Sequence, residues 1–344
     1  MTINNARGLG MAADIAEQPE VYARLLEADR AKAIAEVASK IAGRAPQHVV
    51  FTARGTSDHA ALYGTYLAEI RLNLAAGLAS PSAITLFGAR PDLSHALVVG
   101  VSQSGGSPDL TEVIKVARES GALTLAVTNN PESALAREAE LSIDVGAGHE
   151  RAVAATKTYT AELLALLMLV EYIRGMDDQE ERRLKQLPEL AAATLENTEA
   201  KELAGRYRFA ARMVTTGRGY AYPTAREAAL KLMETSYLPA LAFSGADLLH
   251  GPLAMTQPDV PVIAMVGDGP GGQSMRDVIT RLREQRADVV TVGPRGALRV
   301  PNVDEKYAAL LEILPLQQLA LELALERGED PDAPRALQKV TATM

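Results

Sequence analysis

The sequence has no cysteine. Disulfides, thiolate nucleophiles and zinc–thiolate sites are therefore excluded for these residues. Tryptophan is also missing, and aromatic residues make up only 4% of the chain. A core must then be filled by Ala, Leu, Val and Ile, and hydrophobic residues at 47% are enough for packed globular domains. Positive charge is scarce as well: 35 Lys plus Arg stand against 43 Asp plus Glu, a net charge of -8. That balance disfavours a phosphate backbone, so no nucleic-acid partner is expected, and an anionic metabolite would need a local trap. The opening MTINNARGLG lacks the apolar centre of a secretory signal. The apolar run ELLALLMLVEYI is too short to cross a bilayer and reads as a buried helix. A cytoplasmic protein without membrane contact is expected.

What is present is an alternation of two periods. HVVFTA, ALVVGVS and LTLAVT are short β-branched runs that end in turn residues. Between them lie helical patterns such as DLTEVIKVARES, with apolar residues three and four apart. Strands alternating with helices imply βαβ units and parallel sheets. The pattern then repeats: HVVFTARGT at 48–56 returns as RMVTTGRGY at 212–220, ALVVGVS at 96–102 as PVIAMVGDG from 261, and LTLAVTNNP from 123 as DVVTVGPRG from 288. A near-constant offset over three matches in order indicates a duplicated α/β domain. At 344 residues the chain has room for both. The expected organisation is a helical segment at 1–40, a first domain at 41–175, a charged helical connector at 176–200, a second domain at 201–328 and a tail at 329–344. That tail carries breakers and little apolar content, so it is either frayed or clamped over something.

In VVGVSQSGGSPDLTEV an apolar strand runs into Ser102, Gln103, Ser104, Gly105, Gly106 and Ser107, and a helix starts at Pro108. Free N–H groups and the dipole of a helix N-terminus favour an anion there, and the hydroxyls add neutral donors. The glycine spacing is that of neither a dinucleotide fingerprint nor a Walker loop. Two readings stand: an anion cradle, or a serine-rich turn that only caps a helix. The equivalent loop in the second half, MVGDGPGGQS, carries Asp268, which would repel a phosphate, so one cradle per chain is expected. ARGTSDHA places Thr56 and Ser57 at a similar strand-to-helix turn, with His59 read as structural. Both loops follow strand ends, where open α/β sheets bind ligands.

The second half offers a different chemistry. In PTAREAALKLMETSY, Glu227, Lys231 and Glu234 share one helix face. A solvated salt-bridged stripe is the ordinary fate of such spacing, and a catalytic carboxylate is the alternative. His250 stands in LLHGPLA beside a Gly-Pro turn, as either a structural or a functional histidine.

Taken together, MAADIAEQP, GTSDHA, SQSGGSPD, VAATKTYT, EAALKLMETSY, HGPLAM and APRALQK resemble the SIS domain family. The similarity is to the isomerase half of glucosamine-6-phosphate synthase and to stand-alone SIS-type glucosamine-6-phosphate deaminases, and it runs over residues 11–340. It implies an α/β fold of two tandem SIS domains, each a doubly wound three-layer αβα unit with a parallel sheet flanked by helices. It also implies a phosphosugar substrate and a homodimer. By the same resemblance Ser57, Ser102, Gln103, Ser104 and Ser107 would hold the phosphate, with Thr56 and Val153 contacting the sugar. Glu234 would move a proton between C1 and C2, and His250, reaching in from the neighbouring subunit, would open the ring. Glu227, also placed among the sugar-binding residues, and Lys231, placed with the catalytic ones, would support Glu234, and Lys339 would match the synthase's Schiff-base lysine. The chain departs from the synthase where Gly106 replaces a glutamate, where Arg151 replaces an apolar residue, and where the tail after Lys339 is shorter.

The chain as given has neither the synthase's glutaminase domain nor a cysteine, so the expected direction is release: glucosamine 6-phosphate and water to fructose 6-phosphate and ammonia. No metal or cofactor is required for that chemistry. The alternatives are the isomerase subunit of a glutamine–fructose-6-phosphate aminotransferase, a deaminase or deglycase for another amino-sugar phosphate, and a non-catalytic sugar-phosphate sensor. No helix-turn-helix segment precedes residue 40 to favour the sensor.

Overall fold

A computed structural model of the chain describes residues 7–337. Three helices come first: α1 (Leu9–Ala16), α2 (Gln18–Leu25) and α3 (Ala28–Arg44). The first sheet's segment follows, with β1 (His48–Thr52), α4 (Thr56–Leu72), β2 (Ala75–Leu78), α5 (Pro81–Thr85), β3 (Ala96–Ser102), α6 (Pro108–Glu119), β4 (Leu123–Thr128), α7 (Ala134–Glu138) and β5 (Leu141–Asp144). Then come α8 (Lys157–Arg174), α9 (Asp178–Leu195) and α10 (Glu199–Tyr207). The second sheet's segment holds β6 (Met213–Gly217), α11 (Ala221–Ser236), β7 (Ala240–Ser244), α12 (Gly245–Leu249), β8 (Pro261–Met265), α13 (Pro270–Glu284), β9 (Asp288–Gly293) and β10 (Leu298–Arg299), and α14 (Glu305–Glu326) follows.

Both sheets have five strands, all parallel. The first runs β2-β1-β3-β4-β5 and the second β10-β9-β8-β6-β7. Read from the opposite edge the second order is the first again, strand for strand, which is the duplication expected from the repeated runs. Every residue of β3, β4 and β8 is buried, as central strands covered on both faces require. The chain reverses direction across each sheet between β1 and β3, and again between β6 and β8. Ligands of doubly wound sheets bind beyond the strand ends at such switch points.

The chain divides into two compact units whose sequence segments interleave. One comprises Glu20–His149 and Lys157–Pro188; the other takes the N-terminal segment through Pro19 together with Glu150–Thr156 and Glu189–Leu337. In the first unit α8, apolar nearly all round, is buried along most of its length and packs against α3 and α4. In the second unit α14 has that role against α10 and α11. Among the described residues α14, not the 162–173 run, is the one helix long and apolar enough to cross a bilayer, and 83% of its apolar window is buried within the protein.

The described part of the tail is clamped. Asp332 accepts the N–H groups of Gly10 and Met11 at 2.8 and 2.7 Å, and Asp330 accepts that of Gly8 at 3.3 Å. Two carboxylates thus cap the free N–H groups and positive end of α1. A few residues on, the Arg335 guanidinium lies 4.3 Å over the Tyr237 ring, just past the end of α11.

Candidate active site

The loop after β3 is built to leave donors free. Ser107 stands at the N-cap of α6, yet its hydroxyl makes no capping hydrogen bond. Neither it nor the Gln103 amide engages another described side chain or backbone group. Ser102 and Ser104 shape the loop instead, accepting the N–H groups of Gly105 at 3.1 Å and Gly106 at 3.2 Å. Gly105 has φ 60, and a Cβ there would lie 2.1 Å from Ser133 Oγ, so only glycine fits. The loop is pinned from behind, with its Gly105 and Gln103 carbonyls accepting the N–H groups of Leu135 and Asn129. A serine that merely caps would spend its hydroxyl on the helix; Ser107 does not. The geometry therefore favours the anion cradle over the turn.

The loop after β1 lies in the same unit. Arg54 pairs with the buried Asp109 of α6 at 2.8 Å. This charge contact ties the loop after β1 to the first turn of α6. Thr56 begins α4 half-buried. Ser57 is buried and donates its hydroxyl to Glu162 at 2.9 Å. Its proton is committed to a carboxylate, so toward an anion Ser57 offers its backbone N–H in the first turn of α4. His59, further along α4, is 7% exposed.

In the other unit α11 overturns the solvated-stripe reading. Glu227 and Lys231 are fully buried, while the Glu234 side chain keeps 23% exposure. Lys231 Nζ lies 3.4 Å from Glu227 and in direct contact with Glu234. Burial alone would lower the Lys231 pKa, but the two carboxylates outweigh it and hold the ammonium well above its ordinary value. A buried carboxylate–ammonium–carboxylate row is costly to desolvate and weak as a device for stability. It leaves a single carboxylate, Glu234, reaching the surface from a rigid base.

Val153 sits on the segment 150–156, which three groups of the same unit secure. Asp14 of α1, fully buried, accepts the N–H groups of Arg151 and Ala152 at 2.6 and 3.0 Å and pairs with the Arg151 guanidinium at 2.6 Å. Glu150 accepts the N–H and hydroxyl of Thr156, and the Thr156 carbonyl accepts from Gln317 at 3.3 Å. Arg151, the residue that departs from the synthase pattern, has thus acquired its own partners in Asp14 and Glu17.

His250 follows α12 and is exposed; its imidazole makes no hydrogen bond or ion pair with the α11 row or with any other described residue. Lys339 lies outside the described residues.

The second sheet's own cradle is filled, and not for the reason expected from Asp268. The Asp268 carboxylate is neutralised by Arg276 at 3.2 Å and by contact with Arg295. The free N–H groups at the start of α13 are taken by Glu305, which accepts from Gly272 at 2.7 Å and Gly271 at 3.1 Å.

Comparison with known proteins identifies the family. The SIS domain model matches residues 44–172 and 207–293. The chain belongs to the SIS domain family. Isomerizing glutamine–fructose-6-phosphate aminotransferases of Thermococcus kodakarensis and Pyrobaculum aerophilum are 34% and 35% identical to this SIS chain over 96% of its length, and over 57% and 56% of their own. The chain spans about half the length of these curated relatives. A solved structure from Silicibacter pomeroyi, assigned as a phosphosugar isomerase, is 33% identical with a TM-score of 0.84, and the match covers 94% of this chain and 99% of that one. The C-terminal domain of the Francisella tularensis glucosamine-fructose-6-phosphate aminotransferase is 25% identical with a TM-score of 0.83, covering 97% and 100%. A glucosamine-6-phosphate deaminase from Thermotoga maritima shares the fold, with a TM-score of 0.81 at 24% identity, covering 97% and 100%.

Several residues that organise this SIS chain were not legible beforehand. Asp14, Gln317 and the Arg54–Asp109 pair act across long sequence separations, and nothing local marks them; Glu150 acts on Thr156, six residues away, without a recognisable motif. Glu305 had one signal: it opens a helix just after Asp304.

Proposed function

We propose that the chain is an amino-sugar phosphate deaminase/isomerase, converting glucosamine 6-phosphate and water to fructose 6-phosphate and ammonia. The observation that carries this reading is the buried Glu227–Lys231–Glu234 row with only Glu234 emergent. A sensor has no use for a buried charge row behind one accessible carboxylate. The Ser102–Ser107 loop takes the phosphate, so that binding energy remote from the reacting carbons positions them. Thr56 and the backbone of Val153 contact the sugar.

His250, donated by the neighbouring subunit of a homodimer, moves the proton that opens the ring. Glu234 then takes the C2 proton, giving an enolamine, and returns it to C1. The product is an imine at C2, which water hydrolyses to the ketose and ammonia. Lys231 and Glu227 hold Glu234 in place. Lys339 retains the substrate in the tail.

The second reading is the same chemistry run toward synthesis, as the isomerase part of an isomerizing aminotransferase. It is favoured by the names of the curated relatives. These 344 residues contain no thiol with which to hydrolyse glutamine, so their own chemistry handles free ammonia. The test offers purified protein glucosamine 6-phosphate without glutamine and follows ammonia and fructose 6-phosphate. Release of both supports deamination. No release, with borohydride trapping of fructose 6-phosphate on Lys339, would replace it with the synthase reading. A parallel panel of galactosamine and fructosamine 6-phosphates identifies the sugar.

A further inference from the structure

A cleft of about 280 Å³ lies between α13 and the turn that follows β9, within the second-sheet unit. Arg276, Arg283 and Arg295 line it together with Thr280 and Thr291, the Thr280 hydroxyl donating to the Arg276 carbonyl at 3.0 Å. No aspartate or glutamate is among its lining residues. Arg276 and Arg283 are two helical turns apart and Thr280 falls between them, so α13 presents all three on one face. Arg295 comes from the opposite wall.

That wall is rigid. Gly293 has φ 151, and a Cβ there would lie 2.2 Å from the Val266 carbonyl oxygen; one on Gly296 would lie 2.5 Å from that of Thr291. The Gly296 N–H closes the turn on the Gly293 carbonyl at 3.0 Å. Arg295 is carried on this closely packed turn, where neither glycine could be replaced without a shift of the backbone.

The charges do not cancel. Asp268, outside the lining, is shared between Arg276 and Arg295, which leaves one carboxylate for two cations. Arg283 makes no ion pair or side-chain hydrogen bond with any described residue. In a chain of net charge -8, three arginines sharing one carboxylate, Asp268, around this cleft form a local positive centre against the overall field. Guanidinium forks match the oxygens of a phosphate in geometry as well as charge. The cleft offers no general base, so its chemistry is binding and not turnover.

We infer that this cleft is a second anion site, distinct from the Ser102–Ser107 loop, which binds the phosphate group of a small molecule through Arg276, Arg283 and Arg295. The ligand class is a divalent oxyanion, either free phosphate or a phosphate monoester small enough for the cleft.

The test is calorimetric titration of the full chain carrying Ser104→Ala and Ser107→Ala, which weakens the first loop. Inorganic phosphate should still bind. Adding Arg283→Gln and Arg295→Gln should weaken that binding by about tenfold or more, as expected for loss of charge-assisted contacts. Glycerol 3-phosphate titrated in parallel distinguishes the sources: tighter binding than inorganic phosphate identifies an ester, and weaker binding identifies the free ion. Both arginines project from exposed positions, and a charge-reversing Arg283→Glu chain serves as a second variant, expected to abolish binding while the melting temperature stays near that of its parent. Unchanged isotherms across these arginine variants would overturn the site, as would no phosphate binding in the Ser104→Ala, Ser107→Ala chain.

Discussion

Glu305 accepts the backbone N–H of Gly272 at 2.7 Å, so the second sheet's anion position is occupied by the chain's own carboxylate. The glycine loop is moulded to it: a Cβ on Gly269 would lie 2.5 Å from the Glu305 carboxyl carbon. Duplication gave two helix N-termini at equivalent sheet positions, and one has been closed from within. Glu305→Ala should lower stability by about 1–2 kcal/mol, the usual cost of losing an N-terminal cap and its dipole contact. Thermal unfolding checks this. Glu305→Gln, whose amide oxygen still accepts a hydrogen bond, should recover part of the loss.

The first loop should behave in the opposite way. Ser107 makes no capping hydrogen bond, so Ser107→Ala is expected to change stability by less than about 0.5 kcal/mol. With Ser104→Ala added, KM for the phosphorylated sugar should rise about tenfold or more, as charge-assisted donors to a phosphate are lost. Steady-state kinetics beside melting curves decide the matter. An unchanged KM with a lowered melting temperature would return both serines to a structural role.

How much of this was legible in the sequence follows from the range of the interactions. The duplicated parallel sheets were visible because β-branched runs and helical periods are local, and the repeat copied them in order. The Ser102–Ser107 loop was visible because strand, turn and helix adjoin in sequence. Burial was not visible: Glu227 and Lys231 have the spacing of a solvated stripe, and the packing of α11 against α14, β6 and β7 makes them interior. The supports of Val153 were hidden too, since Asp14 and Arg151 lie far apart along the chain. Asp268 misled because its neutralising partners, Arg276 and Arg295, come from later turns.

The α11 row should separate chemistry from stability. Glu234→Gln keeps the shape of the side chain and removes its proton-accepting charge, so activity should fall to near background with the fold intact. Lys231→Met should do something else. It leaves the Glu227 carboxylate buried without its cation, at a cost of about 3–5 kcal/mol. Ammonia release and thermal unfolding, measured on both variants, check the pair. A stable Lys231→Met chain would show that Glu227 finds another partner.

His250 is exposed and makes no hydrogen bond or ion pair with the α11 row, which leaves its imidazole available to a neighbouring subunit. Mixing Glu234→Gln chains with His250→Ala chains, each inactive alone, should then restore part of the activity through hybrid dimers in which one site is whole. Subunit exchange followed by an ammonia assay reads this directly. Inactive hybrids of verified composition would mean that each site draws both residues from one chain.

Glu312 gives the stability its own pH dependence. It is buried on α14 with one carboxylate oxygen unsatisfied, and burial, helped by the charge of Glu305, pushes its carboxyl up to about 8 from an ordinary value of 4.5. Below about pH 4.5 the carboxyl is protonated in both the folded and unfolded chain, and it costs nothing. Between there and about pH 8 the unfolded chain releases the proton and the folded chain keeps it, so this group's contribution to stability declines as pH rises. Above about pH 8 the decline levels off. Glu312→Gln removes the titration while keeping the side chain's size. Its melting temperature should therefore exceed that of the parent by several degrees at pH 8, with the gap narrowing steadily toward pH 5. A gap of constant size across that range would mean that the Glu312 carboxyl is ionised in the folded protein, with a cation or water at its second oxygen.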